Sequence, residues 1–240
     1  MRIIEKIKAK ADNNSNMPAV TIGFIGDSVT QGCFEVYNKL NGAIETVFDK
    51  NNAYHAYLAK IMSILYPTVP VNIINAGVSG GKAPHGLSRL DRDIISHAPD
   101  LAVVCFGLND CFAGIDNIHQ YTDALDGIFS KLKNANIETI FMTPNMMCTD
   151  LSCHLKEQNH IDVALTAAKL ENSGVLEQYL NAGKEIAKKH NIKICDCYSK
   201  WKTLHENGVN ITDMLSNNIN HPTRDMNYLF AISLIETMMS

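Results

Sequence analysis

Residues 19–32 read Ala19-Val20-Thr21-Ile22-Gly23-Phe24-Ile25-Gly26-Asp27-Ser28-Val29-Thr30-Gln31-Gly32. An apolar run, Ala19–Ile25, ends in a polar turn bounded by glycines. That is the pattern of a buried parallel strand feeding a helix. Working outward, further apolar runs predict strands at Val71–Asn75, Leu101–Phe106, Glu138–Thr143 and Ile192–Cys197. Helical patterns lie between them, near Tyr54–Leu65, Leu87–His97, Ile118–Asn134 and Val175–His190, and a last helix is expected to follow Pro222 and run through Ile235. Strands alternating with helices predict right-handed crossovers and an α/β, doubly wound parallel sheet. No repeat, low-complexity tract or composition break marks a linker, so residues 1–240 are expected to form a single domain.

Composition narrows the function. Of 240 residues, 46% are hydrophobic, which excludes a largely disordered chain. Lys and Arg number 21 against 25 Asp and Glu, a net charge of −4 with neutral His. This balance lacks the basic footprint that phosphate backbones require, so no nucleic-acid partner is expected. No run of about 18 apolar residues occurs, so no membrane span is expected. The opening Met1-Arg2-Ile3-Ile4-Glu5-Lys6 turns charged where a signal peptide stays apolar. Seven cysteines without framework spacing suit a reducing compartment, and the expected localisation is cytoplasmic. Cys148, Cys153 and His154, or Cys195 and Cys197, do not complete the paired ligands of a zinc site, so no metal is expected.

Ser28 stands at the first strand-to-helix junction, where two readings compete. It could cap the helix, a task Asp27 could equally perform. It could instead be a nucleophile whose developing charge the helix N-terminus favours. Three further segments bear on the choice. Gly77 in Asn75-Ala76-Gly77 lets a backbone N–H approach a substrate oxygen. Asn109 in Gly107-Leu108-Asn109-Asp110 brings an amide to the same sheet edge, and His221 in Asn218-Ile219-Asn220-His221-Pro222 stands before the last helix. Two long mixed segments, Gln31–Asn52 and Pro144–His160, should lie at the carboxyl edge, where open α/β sheets form their ligand crevice.

Taken together and in order, these blocks resemble the SGNH hydrolases, the GDSL-like lipase/esterase family. The family's Ser in Gly-Asp-Ser, Gly, Asn in Gly-x-Asn-Asp and His before Pro match Ser28, Gly77, Asn109 and His221. The resemblance implies a flavodoxin-like three-layer α/β/α sandwich around a central parallel five-stranded sheet. It also implies ester hydrolysis through an acyl-enzyme, without metal or cofactor. Ser28 would be the nucleophile, His221 the base, and Ser28, Gly77 and Asn109 the oxyanion hole. One position departs from the pattern. Where the family places an Asp three residues before the His, this chain has Asn218. An amide there could accept from the imidazole but brings no charge, and Asn218 is the favoured orienting residue. Asp225, Asp213 and a backbone carbonyl are the alternatives.

The polar character of both long segments predicts short acyl groups, acetyl first, on a small-molecule or carbohydrate ester rather than a long acyl chain. Lysophospholipase or thioesterase activity is the alternative within the fold, and a non-catalytic flavodoxin-like ligand-binding protein lies outside it. Two rival motifs fail. Gly77–Ala83 has one residue too few between its glycines for a phosphate loop, and Ala83 stands where a hydroxyl is needed. Thr30 replaces the second glycine of an α/β-hydrolase elbow.

Overall fold

A computed structural model describes residues 1–240. Its strands are β1 (Val20–Gly26), β2 (Cys33–Asn38), β3 (Ile44–Phe48), β4 (Val71–Gly77), β5 (Leu101–Cys105), β6 (Glu138–Met142) and β7 (Lys193–Cys195). The helices are α1 (Arg2–Asp12), the single turn α2 (Ser28–Gln31), α3 (Tyr54–Leu65), α4 (Ala83–Asp93), α5 (Ile118–Asn134), α6 (Gln158–Asn172), α7 (Val175–Lys189), α8 (Cys197–Glu206) and α9 (Asn227–Met239). A five-stranded sheet runs in the order β4-β1-β5-β6-β7 with every pairing parallel, and β2 and β3 form a separate antiparallel hairpin.

The sheet is buried because helices cover both faces. Helices α1, α3, α8 and α9 pack together on one side, and α4, α5, α6 and α7 on the other. Every residue of β5 is buried, which accounts for its unbroken Leu-Ala-Val-Val-Cys run. The three-layer α/β/α sandwich follows, with a continuous core reaching from Ile3 on α1 to Met238 on α9. The winding reverses between β1 and β5, and that reversal opens a crevice beyond their carboxyl ends. The segments after both strands carry expected site residues, Ser28 and Asn109.

Expected and observed elements coincide at α3 and α5 and differ elsewhere for local reasons. Helix α4 begins at Ala83 rather than Leu87, with Pro84 suiting its first turn. The last helix begins at Asn227, because Pro222 is first held in a bridge to Leu215. Helix α8 opens at Cys197, so Cys195 and Cys197 straddle a strand end, with sulfurs 3.7 Å apart. Helices α1, α6 and α8 and the β2–β3 hairpin were not expected. The hairpin fills part of Gln31–Asn52, the segment expected to wall a crevice. No helix is long and apolar enough to cross a membrane.

Candidate active site

Ser28 is the first residue of α2. The chain turns so tightly there that a Cβ on Gly26 would lie against Thr30 Oγ1 and 2.7 Å from the Cys105 carbonyl. The capping task belongs to Asp27, whose Oδ1 accepts from Val29 N–H at 3.0 Å. The Ser28 hydroxyl is therefore free of that duty. Gly32 ends the turn at φ +90°, a left-handed conformation that favours glycine.

His221 reaches Ser28 from a loop organised by its own asparagines. Asn217 Oδ1 accepts from the backbone N–H groups of Ile219, Asn220 and His221 at 3.1, 2.9 and 2.9 Å. Asn145 Nδ2 donates to the Asn220 carbonyl at 2.9 Å. His221 Nε2 lies 2.9 Å from Ser28 Oγ, and Nδ1 lies 2.8 Å from the Phe34 carbonyl oxygen. A carbonyl only accepts, so Nδ1 carries the proton and Nε2 presents its lone pair to the serine hydroxyl. Burial holds the His221 pKa below its ordinary value, partly opposed by the Phe34 carbonyl and the nearby Glu35 charge. The imidazole is thus neutral and in the tautomer that a general base requires.

The expectation that Asn218 orients His221 is corrected by this geometry. Asn218 adopts φ +53°, and its Nδ2 donates to the carbonyls of Thr212 and Leu215 at 3.3 and 3.4 Å. Its amide is committed to its own loop. Asp213 and Asp225 are exposed and make no bond to the ring. Of the alternatives weighed, the backbone carbonyl holds the position. It comes from Phe34 on the hairpin, a residue that no sequence motif flagged.

The carboxyl edge around Ser28 is built from a few polar tethers. Gly77 N–H is taken by Asn75 Oδ1 at 2.9 Å, which corrects its expected place as an oxyanion donor. Gly77 matters sterically instead, because α2 packs directly on its backbone. The turn after it lies over Gly26 and Asp27. Gln31 Oε1 pins this turn by accepting from Ser79 N–H at 2.7 Å, and Gly80 stands exposed at φ +71°. Asn109 Nδ2 donates to the Gly81 carbonyl at 3.1 Å and, more weakly, to Asp27 Oδ2 at 3.3 Å. Asp110 braces the same edge, accepting from Ala83 N–H at 2.8 Å and Gly107 N–H at 3.0 Å. Burial raises Asp27 to about 7 and Asp110 to about 6. No cluster of His, Cys, Asp or Glu is arranged to hold a metal ion.

Beside the His221 loop lies a cavity of about 380 Å³. The hairpin contributes Glu35, Tyr37 and Asn38 to its wall, the segment after β6 contributes His154 and Glu157, and the His221 loop contributes Asn218. Both long segments expected to wall a crevice therefore meet there.

Comparison with known proteins agrees with this architecture. The model of the GDSL-like lipase/acylhydrolase family matches residues 24–228. An acetylxylan esterase of Geobacillus stearothermophilus is 27% identical over 133 residues, 50% of this chain and 58% of that protein. The chain's match thus spans less than two thirds of that relative's length. Among solved structures, Axe2, an acetylxylan esterase of the same organism, superposes with a TM-score of 0.67 at 19% identity, covering 91% of this chain and 94% of that one. LAE5, an alpha/beta hydrolase from the metagenome of Lake Arreo, gives 0.67 at 17% identity, covering 92% and 97%. With a family match that encloses both Ser28 and His221, the chain belongs to the GDSL-like lipase/acylhydrolase family.

Proposed function

We propose that the protein is a serine esterase that removes short acyl groups, acetyl first, from a polar alcohol such as a carbohydrate. The observation that carries this reading is the chain of contacts from Phe34 O through His221 to Ser28 Oγ, at 2.8 and 2.9 Å. His221 Nε2 takes the Ser28 proton as the hydroxyl attacks the ester carbonyl, and returns it to the departing alcohol. Water activated by the same nitrogen then releases the acyl group. The tetrahedral oxyanion is held by the Ser28 N–H in the first turn of α2 and the Asn109 amide. Asn109 exchanges its long bond to Asp27 for the substrate. Removing one such donor costs about 10²–10³ in kcat.

His221 returns the proton to the alcohol, and we assign the alcohol part of the substrate to the cavity of about 380 Å³ beside the His221 loop. Its carboxylate, amide and imidazole groups suit hydroxyl-rich substrates, and Tyr37 adds an aromatic face. The acetylxylan esterase relative supports the same substrate class. The test is a chain-length series of p-nitrophenyl esters together with an acetylated xylo-oligosaccharide. Acetate turning over faster than octanoate, with acetate released from the sugar, is the expected result. Faster hydrolysis of octanoate would remove the short-acyl assignment and favour a lysophospholipase or thioesterase.

A further inference from the structure

Strand β2 leaves its ladder with β3 where it meets His221. Cys33 pairs with Phe48 and Val36 with Thr46, so Phe34 and Glu35 together oppose Val47 alone. A bulge of this kind withdraws backbone groups from the ladder and re-aims them. Here it frees the Phe34 carbonyl to accept from His221 Nδ1. The ladder no longer fixes that carbonyl, so another contact must.

One guanidinium touches both bulged residues. Arg224 Cζ stands 4.3 Å from the centroid of the Phe34 ring. Its Nη1 and Nη2 donate to Glu35 Oε1 and Oε2 at 2.6 and 3.2 Å, a two-pronged pairing. Its Nε donates to Asp49 Oδ2 at 2.9 Å, and Asp49 N–H in turn donates to the Gly32 carbonyl at 2.8 Å. The clamp thus reaches the root of the hairpin as well as its bulge. Arg224 also follows His221 by three residues on the same loop. A single side chain therefore fastens the segment carrying the base to the strand carrying its acceptor.

We propose that Arg224 is a positioning residue for the reaction, holding the Phe34–Glu35 bulge so that the Phe34 carbonyl stays on His221 Nδ1. This inference rests on the Ser28–His221 reading above. Lysine cannot substitute, because a point charge neither stacks on the ring nor grips both carboxylate oxygens.

The test compares Arg224→Lys, Arg224→Met and Glu35→Gln with wild type. Both Arg224 variants should lose about 10- to 100-fold in kcat on p-nitrophenyl acetate with KM little changed, as a misplaced base demands. Their Ser28 should label more slowly with a fluorophosphonate, and the downfield proton resonance of His221 Nδ1–H should weaken or broaden. Glu35→Gln keeps the stack on Phe34 and one acceptor oxygen, so its loss should be smaller. Wild-type kcat and an unchanged Nδ1–H resonance in either folded Arg224 variant would overturn the proposal, as would a rise in KM alone. Where Arg224→Met does not fold, Arg224→Lys decides by the same readouts. A wild-type protein that neither hydrolyses the ester nor labels would instead overturn the esterase reading, and this proposal with it.

Discussion

Gly77→Ala separates a steric role for this glycine from an oxyanion role. A Cβ at position 77 would meet backbone only, closest to Gln31 N and 2.6 Å from both Gln31 Cα and Thr30 C. Carbon atoms rest about 3.5–4.0 Å apart, so the overlap is about 1 Å, with no flexible side chain to give way. Either α2 or the end of β4 must move, and α2 carries Ser28. Overpacking costs about 1–3 kcal/mol, and a backbone clash belongs at the upper end. At about 2–4 °C per kcal/mol for a chain of this size, Tm should fall by about 6–12 °C. A displacement of about 1 Å at the nucleophile should lower kcat by about 10²-fold. Thermal unfolding and p-nitrophenyl acetate turnover, measured on the same preparation, read both effects. Alanine retains the N–H, so an oxyanion role alone predicts no loss. A Gly77→Ala protein with wild-type Tm and kcat would refute the packing argument.

Other expectations follow from the same contacts. Ser28→Ala should abolish ester hydrolysis and fluorophosphonate labelling while leaving Tm nearly unchanged, since Asp27 supplies the helix cap; retained turnover would overturn the nucleophile assignment. Asn218→Asp should turn a carboxylate toward the Thr212 and Leu215 carbonyls and cost about 1–3 kcal/mol of stability, with no gain in kcat; a faster enzyme would restore the orienting role to position 218. Burial keeps His221 below its ordinary value, so the acidic limb of kcat/KM should have its midpoint below 6.5; a midpoint above 7 would contradict the buried neutral imidazole. Burial also raises Glu171 from 4.5 to about 7, so the native state binds more protons than the unfolded state between those values and loses stability as pH rises through them. Glu171→Gln should gain on wild type by roughly 3 kcal/mol between pH 4 and 8 in denaturant unfolding, and a difference constant with pH would exclude this linkage.

The central sheet was readable because parallel strands buried on both faces write continuous apolar runs, as Leu101–Cys105 does. The hairpin was not readable. Buried Cys33 and Phe34 give way to half-buried Glu35, Val36 and Asn38 and exposed Tyr37 around a bulge, and neither helical nor strand periodicity survives that mixture. Ser28 and His221 stood out because glycine, asparagine and proline surround them in a recognisable order, and the structure places them within hydrogen-bonding distance. Phe34 was invisible because its contribution is a carbonyl, which every residue carries. Asn217, which ties down three successive backbone N–H groups, was hidden among neighbouring asparagines. Gly77 misled in a different way. The glycine is sterically required, but its N–H is spent on Asn75, a contact that belongs to the folded turn.

The replacement of an acid by a carbonyl has a chemical logic that an amide does not share. An aspartate orienting the base fixes the imidazole tautomer and stabilises its cation. An amide can accept from Nδ1–H, but rotated by half a turn it donates, and it then stabilises the tautomer that cannot deprotonate serine. A backbone carbonyl has no donor to present, so the contact at Phe34 permits only the productive tautomer. What the carbonyl lacks is a full charge for the imidazolium that forms during the attack. Glu35 is the neighbouring carboxylate whose field raises the His221 pKa, although Arg224 neutralises part of it. In the proposed mechanism the tasks of one aspartate are divided: Phe34 selects the tautomer, Glu35 supplies field, and Arg224 holds the two in register. A carboxylate added at position 218 would meet a base already committed to Phe34, and the hairpin is therefore where changes in turnover should be sought.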